Sequence, residues 1–377
     1  MEKKNAYLIS CSDHFNHRLN VIDAYLRSKG YEVTYITSDF DHATKQKFDC
    51  TVPDSVQIHA SPYHKNLSLG RICSHQKFAR DVFRYIEGQK VQPAVVVALV
   101  PPNFLVHYAA KYKKKHPEVR LIFDIFDMWP EAFPSAGMKK MLLPIFKVWA
   151  GIRDKGLLSA DFVTTECALF QSKLGLDPDK SAVIYLAADS LSCGLYPAGL
   201  GDDSVSLCYL GSINNIIDIP RICDLLRQIA AVKPVTLHII GAGERQQELI
   251  SAAQTAGAKV EHHGAVFDDS IKQEIMSKCH FGLNIVKPTV CLGLTMKSVG
   301  YFQHGLPIIS NVPADTQSLI EKWKTGIQLD ENTAQIILNM SVKENLQMRS
   351  RVTDMFQSCF DRAVINDQYS KLLKDLL

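Results

Sequence analysis

Two doubly wound, Rossmann-like α/β domains with parallel sheets facing an interdomain cleft are the fold that this sequence predicts. Three observations carry the expectation. Apolar strand-like runs alternate with helical periods through nearly all of the 377 residues, as in parallel sheets whose crossovers are helices. The pattern stops once, over residues 187–204, where glycine, proline and aspartate gather without a period, and then restarts. Glycine-bearing turns follow strands in the second half, at the ends where open α/β sheets bind ligands.

The elements follow in order. Residues 6–10 read as an apolar strand. Residues 15–30 form a helix, with Leu19, Ile22 and Leu26 on one face and Gly30 as its stop. A strand returns at 32–37 and a long helix spans 69–87. Residues 95–99 are apolar throughout, as a buried central strand is, and the helix 103–116 ends before Pro117. A strand at 120–125, a helix at 142–159 and strands at 162–165 and 182–186 complete the first half. After the linker come strands at 206–210, 235–240, 259–262, 281–285 and 307–310. Between them lie helices at 220–231, 244–256, 271–278 and 297–304, and the tail from 333 to 377 reads helical. The domains are placed at 1–187 and 205–350, with a C-terminal helix over 351–377.

Composition narrows the function. The chain is 46% hydrophobic and 21% charged, a globular balance, and a net charge of +3 makes the whole molecule no nucleic-acid binder. Ten cysteines show no CxxC pair, which suits small core residues in a reducing cytoplasm. The N-terminal apolar run is too short for a signal sequence. The longest run, 94–102, falls well short of the roughly twenty residues that span a bilayer. A soluble or peripheral protein is expected.

The most informative stretch is 295–311, T-M-K-S-V-G-Y-F-Q-H-G-L-P-I-I-S-N. Thr295, Lys297 and Ser298 fall at the start of a short helix, Gly305 suits its end, and Pro307 opens a buried strand. A helix start offers free amide N–H groups and a positive dipole to an anion, and Lys297 adds a full charge. The segment resembles the donor-binding part of glycosyltransferases with the GT-B fold, family-four type. Members commonly read Lys-x-x-Glu-Tyr-x-x-x-Gly-x-Pro-Val-Ile. Lys297, Tyr301, Gly305 and Pro307 match. The glutamate position holds Gly300, and the partner acidic position, eight residues earlier, holds Leu292. In the family that carboxylate holds the nucleotide ribose, so the ribose contact is left unassigned here.

Further motifs occur in the family's order. Gly211-Ser212 closes one strand, and Gly241-Ala-Gly243-Glu opens a helix after the next. Where the family places Arg and Lys after the first turn, this chain has Asn214-Asn215. His262-His-Gly-Ala-Val266 is similar to the loop whose backbone contacts the base, its histidine pair otherwise reading as a surface or packing feature rather than a metal site. The resemblance implies a nucleotide-sugar pocket, a UDP-sugar foremost, that also includes Asn284, Thr295, Ser298 and Tyr301. Lys287 and Lys297 would stabilise the leaving diphosphate without a metal. Asp39-Phe-Asp41 reads as a solvated loop rather than a magnesium site.

In the first half, Pro101-Pro102 and Asp127-Met-Trp129-Pro-Glu131 resemble a pattern of family-four transferases that act in surface-polysaccharide assembly. The indole of Trp129 offers a face to a sugar, and Asp127 and Glu131 offer oxygens to hydroxyls. The loop with Asp13, His14, His17 and Arg18 could bind an acceptor, with His14 able to serve as a base, or could simply cap a helix. The resemblance thus implies transfer to a glycan or polyprenyl-diphosphate-linked acceptor with retention of configuration, and in relatives such a tail crosses back onto the first domain. A non-catalytic subunit that lost its acid pair, or a sugar-nucleotide epimerase, are the rival expectations. A dinucleotide oxidoreductase is disfavoured, because Gly241-x-Gly243 lacks a third glycine. Lys111-Tyr-Lys-Lys-Lys, and the lysines mixed with bulky apolar residues over 138–149, suggest a peripheral membrane contact at the cytoplasmic face or a solvated surface.

Overall fold

A computed structural model describes residues 4–12, 16–41, 44–50, 52–64, 68–132, 139–191 and 200–377, with no side-chain description for 16–17 and 139–143. The chain divides into two units, Met1–Tyr185 with Asn366–Leu377, and Leu186–Ile365.

The first unit is built on strands β1 (Asn5–Ile9), β2 (Glu32–Ser38), β3 (Ser55–Ile58), β4 (Val95–Val100), β5 (Arg120–Ile125), β6 (Phe162–Thr165) and β7 (Ser181–Val183). They form one parallel sheet in the order β3-β2-β1-β4-β5-β6-β7. β4, in the middle, is buried along its whole length, as a strand covered by helices on both faces must be. Chain direction across the sheet reverses between β1 and β4, so the loops after these two strands part there. Helices α1 (Asn16–Ser28), α2 (Leu69–Glu87), α3 (Asn103–Lys115), α4 (Lys139–Leu157) and α5 (Ala168–Lys173) connect the strands. α2 starts where the Ser68 hydroxyl accepts from Arg71 N–H. Three of the four lysines of α3 occupy its last turn, where the dipole favours them.

The second unit repeats the plan with β8 (Val205–Leu210), β9 (Val235–Ile240), β10 (Lys259–Gly264), β11 (Phe281–Asn284), β12 (Ile308–Ser310) and β13 (Gly326–Gln328), ordered β10-β9-β8-β11-β12-β13. Its helices are α6 (Ile219–Ala230), α7 (Gln246–Thr255), α8 (Asp269–Ser277), α9 (Met296–Gln303), α10 (Asp315–Trp323), α11 (Thr333–Asn339) and α12 (Val342–Cys359). The reversal falls between β8 and β11. A continuous, largely aliphatic core packs α6, α7 and α11 onto one face of this sheet.

Most long elements lie where the sequence pattern puts them, within two or three residues. β3, α5, α10 and β13 were not expected. β3 and β13 are edge strands of three or four residues, too short for alternation to register. The expected helical tail is broken into three helices, the middle one opened by a Ser341–Glu344 capping box and the last being α13 (Arg362–Leu376). Of the expected linker, residues 192–199 lie outside the described residues. Before them, Ala188 N–H donates to Phe360 O at 2.9 Å.

One buried ion pair joins three elements of the first unit. Arg18 on α1 grips Asp124 on β5 with two contacts of 2.8 Å, and donates to Ile184 O at 3.1 Å. The Tyr369 hydroxyl of α13 donates to the same carboxylate at 2.8 Å. Arg18 and Asp124 side chains are only 2% and 0% exposed. Breaking such a pair strands one charge in a dry core. Arg18→Met is therefore expected to lower the unfolding free energy by about 3–5 kcal/mol in a urea titration. A loss below about 1 kcal/mol, the value of a surface pair, would show that the pair does not hold the unit together.

Candidate functional site

Three loops meet at the carboxyl end of the second sheet. Gly211 N–H donates to Ile240 O at 2.7 Å, and Gly241 N–H donates to Gly264 O at 2.7 Å, so the turns after β8, β9 and β10 are laced together. The lacing requires glycine. A Cβ at Gly241 would stand 2.0 Å from Gly211 O, and one at Gly243 2.3 Å from Ile213 O, both main-chain atoms that cannot yield. Ser212 and Gly243 are exposed on this edge, while Asn214 folds back, its Oδ1 accepting Ile216 N–H at 3.0 Å. Asn215 is tied to Glu244. Val266 is half-buried in the loop that follows Gly264.

Lys297 enters the same place from α9. The Thr295 hydroxyl caps that helix by accepting Ser298 N–H at 3.0 Å. The lysine Nζ donates to the Tyr209 hydroxyl, lies 4.1 Å from the centre of its ring, and reaches Ser212 O at 3.4 Å. No carboxylate pairs with it among the described residues, and burial pushes its pKa down to about 7. Lys287 sits in the loop after β11. Its N–H donates to Ile216 O at 2.8 Å, and its side chain is half-buried. Asn311 holds that loop with bonds of 2.9 and 2.7 Å to the two main-chain groups of Val286, a role that sequence reading did not assign.

Three residues read as nucleotide contacts are internal. Tyr301 is fully buried and its hydroxyl bonds Cys208 O, Leu283 O and Leu210 N–H. Asn284 and Ser298, buried and 2.8 Å apart, bond each other and brace the start of α9. They position Lys297 rather than offering atoms to a ligand.

In the first unit, Asp13 and His14 lie outside the described residues, as does the side chain of His17. Arg18, expected to face an acceptor, is corrected: it is spent on Asp124, because an arginine 3% exposed needs a charge partner of its own. Asp127, Trp129 and Glu131 do come together. Trp129 Nε1 donates to Asp127 Oδ2 at 2.6 Å. The indole stacks on His75 with centroids 5.7 Å apart, and the Arg71 guanidinium stands 4.0 Å from its ring. Arg153 holds Glu131 by two bonds of 2.8 and 3.0 Å and also donates to Trp129 O at 2.8 Å. The indole thus has neighbours on its faces, and its expected role as a sugar platform is not what these contacts favour. Burial raises the Asp127 pKa to about 6, against the opposing pull of the Trp129 N–H and Arg71. Arg71 and His75 escaped the sequence reading. Their signal is that they lie on the buried stripe of α2 that continues through Phe78, Val82 and Ile86.

These two places can be set against known proteins. Residues 204–341 match the family model described as "Glycosyl transferases group 1". No curated protein matches the sequence. Among solved structures, the lipopolysaccharide outer core galactosyltransferase WaaB, in its apo form, is 14% identical, with a TM-score of 0.65, over 98% of this chain and 99% of that one. HepE of Anabaena, in complex with UDP-glucose, is 15% identical, with a TM-score of 0.64, over 99% and 100%. A structure described as trehalose-6-phosphate from E. coli bound with UDP-2-fluoro glucose is 9% identical, with a TM-score of 0.63, over 99% of each chain. The likeness to these structures establishes the GT-B fold. The family model lies within the second unit and spans the glycine loops and Lys297 described above.

The raised pKa of Asp127 makes a prediction about stability. A carboxyl whose folded pKa lies near 6, above its usual value near 4, binds its proton more tightly folded than unfolded. Its charge therefore costs stability above pH 6, and the cost fades as pH falls toward 4. Asp127→Asn keeps an acceptor for Trp129 and is expected to be about 1–3 kcal/mol more stable than the parent at pH 8. At pH 4 the two should coincide. Denaturant titrations at both values check this, and equal stability at pH 8 contradicts it.

Proposed function

We propose that this chain moves a glycosyl group from a UDP-sugar to a glycan or polyprenyl-diphosphate-linked acceptor in surface polysaccharide assembly, with retention of anomeric configuration. The observation that carries the reading is Lys297, a half-buried lysine with no carboxylate partner among the described residues, set against the laced glycine loops of a glycosyltransferase domain. Burying an ammonium without a counter-ion is unfavourable unless an anion arrives. The anion that fits is the donor's diphosphate. As the bond between the anomeric carbon and the phosphate oxygen breaks, negative charge grows on the leaving group. Lys297, Lys287 and the amide end of α9 stabilise it. The acceptor hydroxyl attacks from the face that the phosphate leaves, and a phosphate oxygen takes its proton. No metal is assigned a part. The cluster around Asp127 and Arg71 in the first unit is assigned to the acceptor.

Gly300 favours one rival, a non-catalytic subunit that keeps donor affinity without turnover. UDP-sugar hydrolysis or transfer by the purified chain excludes it. The active reading expects Lys297→Ala to lower kcat/KM on the order of a hundredfold. It also fixes a pH dependence. A UDP-sugar diphosphate keeps its charge across the neutral range, whereas Lys297 loses its proton above about pH 7 in the free protein. Donor affinity should therefore weaken as pH rises through 7, and Lys297→Ala should remove that slope. Calorimetric titration at several pH values checks it. A parent protein with no slope contradicts the assignment.

The acceptor side points to a membrane surface. No helix among the described residues is long and apolar enough to cross a membrane. Between α3 and α4 runs a groove of about 640 Å³ lined by His107, Lys111, Lys114, Lys147 and Lys155, with no carboxylate. An apolar groove of about 330 Å³ lies beside it, sharing Val148 and Ile152, and Val148 is 67% exposed. Cations next to exposed apolar residues are what an anionic bilayer attracts. The chain is expected to sediment with vesicles containing anionic lipid at low salt, and Lys111→Glu with Lys147→Glu to abolish it. Failure of the parent to sediment ends this part of the proposal.

A further inference from the structure

The strands β9 and β10 carry a second cluster, apart from Lys297 and Lys287. His238 on β9 stands level with Glu261 on β10 in the parallel register. The register then shifts between His262 and Gly264, so His263 is an inserted, bulge residue. Bulges re-aim side chains. Here the imidazole of His263 lies parallel to that of His238, within 6°, with centroids 5.4 Å apart. His263 Nε2 is 3.1 Å from His238 Nδ1, and Glu261 Oε2 is 3.4 Å from the same nitrogen. All three donor atoms lie within 4.8 Å of one another.

We propose that His238, Glu261 and His263 form a binding site for a divalent transition-metal ion of the zinc class. Two imidazole nitrogens and one carboxylate oxygen, with water in a fourth position, are a donor set that tetrahedral zinc accepts. Ligand atoms about 2.0–2.1 Å from one ion stand roughly 3.4 Å apart, close to the separations found here. Glu261 keeps one oxygen for the ion because Lys259 takes the other at 2.6 Å. The alternative use of the same atoms is a plain hydrogen bond between the two rings.

Such an ion would clip the edge strand to its neighbour. The clip lies next to Gly264, whose carbonyl receives Gly241 N–H, and to His262, whose Nε2 lies 3.0 Å from Gly241 O. Metal occupancy would thus stiffen the turn that closes the laced loops. The inference stands on these residues alone and does not need the proposed reaction.

The test uses the metal-stripped full chain. Calorimetric titration with Zn²⁺ should show one equivalent bound, and saturating Zn²⁺ should raise Tm by several degrees. Co²⁺ in place of Zn²⁺ should give the visible bands of a tetrahedral site without the thiolate charge-transfer band that cysteine ligands produce. His263→Ala and Glu261→Gln, both at partly exposed positions, should each weaken binding by at least about tenfold. Their metal-free melting temperatures report whether the fold survived the change. Lys259→Ala, which frees the carboxylate, should tighten binding. No uptake by the parent, leaving only the ring-to-ring hydrogen bond, overturns the proposal. So does undiminished affinity in the two folded variants, or a thiolate band.

Discussion

The hydroxyl of Tyr301 is the contact on which the second unit depends. The ladder between β8 and β11 lasts for only two residue pairs, Leu207 with Phe281 and Cys208 with Gly282, before the strands part. Parting strands leave main-chain groups unmet in a dry interior, at a cost of roughly 1–3 kcal/mol each. The phenol meets them. It accepts Leu210 N–H at 2.7 Å, and its single proton lies between Cys208 O and Leu283 O, each 3.1 Å away. The ring also fills the space beside Gly282, where a Cβ would stand 2.5 Å from it. Pinning α9 to both strands at once puts its first turn against the ends of β8 and β11. Lys297, one helical turn before Tyr301, is delivered to the glycine loops by that pin.

Buried charges in the two units are compensated to different degrees. In the first unit Arg18 answers Asp124 and Arg153 answers Glu131, each pair closed by two hydrogen bonds. Such pairs spend their charge on each other. Asp127 is less well served: burial raises its proton affinity, and the Trp129 indole N–H, the Met128 N–H and Arg71 offset it only in part. Lys297 has a phenol and a carbonyl, both neutral. The groups with incomplete compensation are the ones whose ionisation a bound ligand can change.

What was legible in the sequence follows from which forces act locally. The buried strand 95–100 declares itself through an unbroken apolar run, 120–125 and 235–240 through mostly apolar ones, and the start of α9 through Thr295 and the Gly-x-Pro that ends it. The glycines at 241 and 243 marked the right turn, although only the structure shows that main-chain contact demands them. Arg18 could not be placed, because its partner lies 106 residues away and nothing in its own neighbourhood distinguishes a buried arginine from a solvated one. Arg71 and His75 were hidden by a pattern rule that looks for apolar residues on a helix stripe and passes over polar ones occupying it. The His263 contact depends on a bulge, which alternation cannot reveal.

Gly300 is the point where sequence and structure must be weighed together. Glycine inside a helix costs up to about 1 kcal/mol relative to alanine, so its presence in α9 calls for a reason. Main-chain crowding is not that reason. A Cβ there would meet only Leu210 Cδ2, at 2.9 Å, the end of a side chain that can turn aside. Position 300 therefore still points toward the end of β8, where the Gly211 turn begins. The family's glutamate is missing here, as are its acidic partner at Leu292 and the Arg and Lys at Asn214 and Asn215. On the proposed reading the glycine lacing and Lys297 grip the donor's phosphates, and the ribose contact stays unassigned.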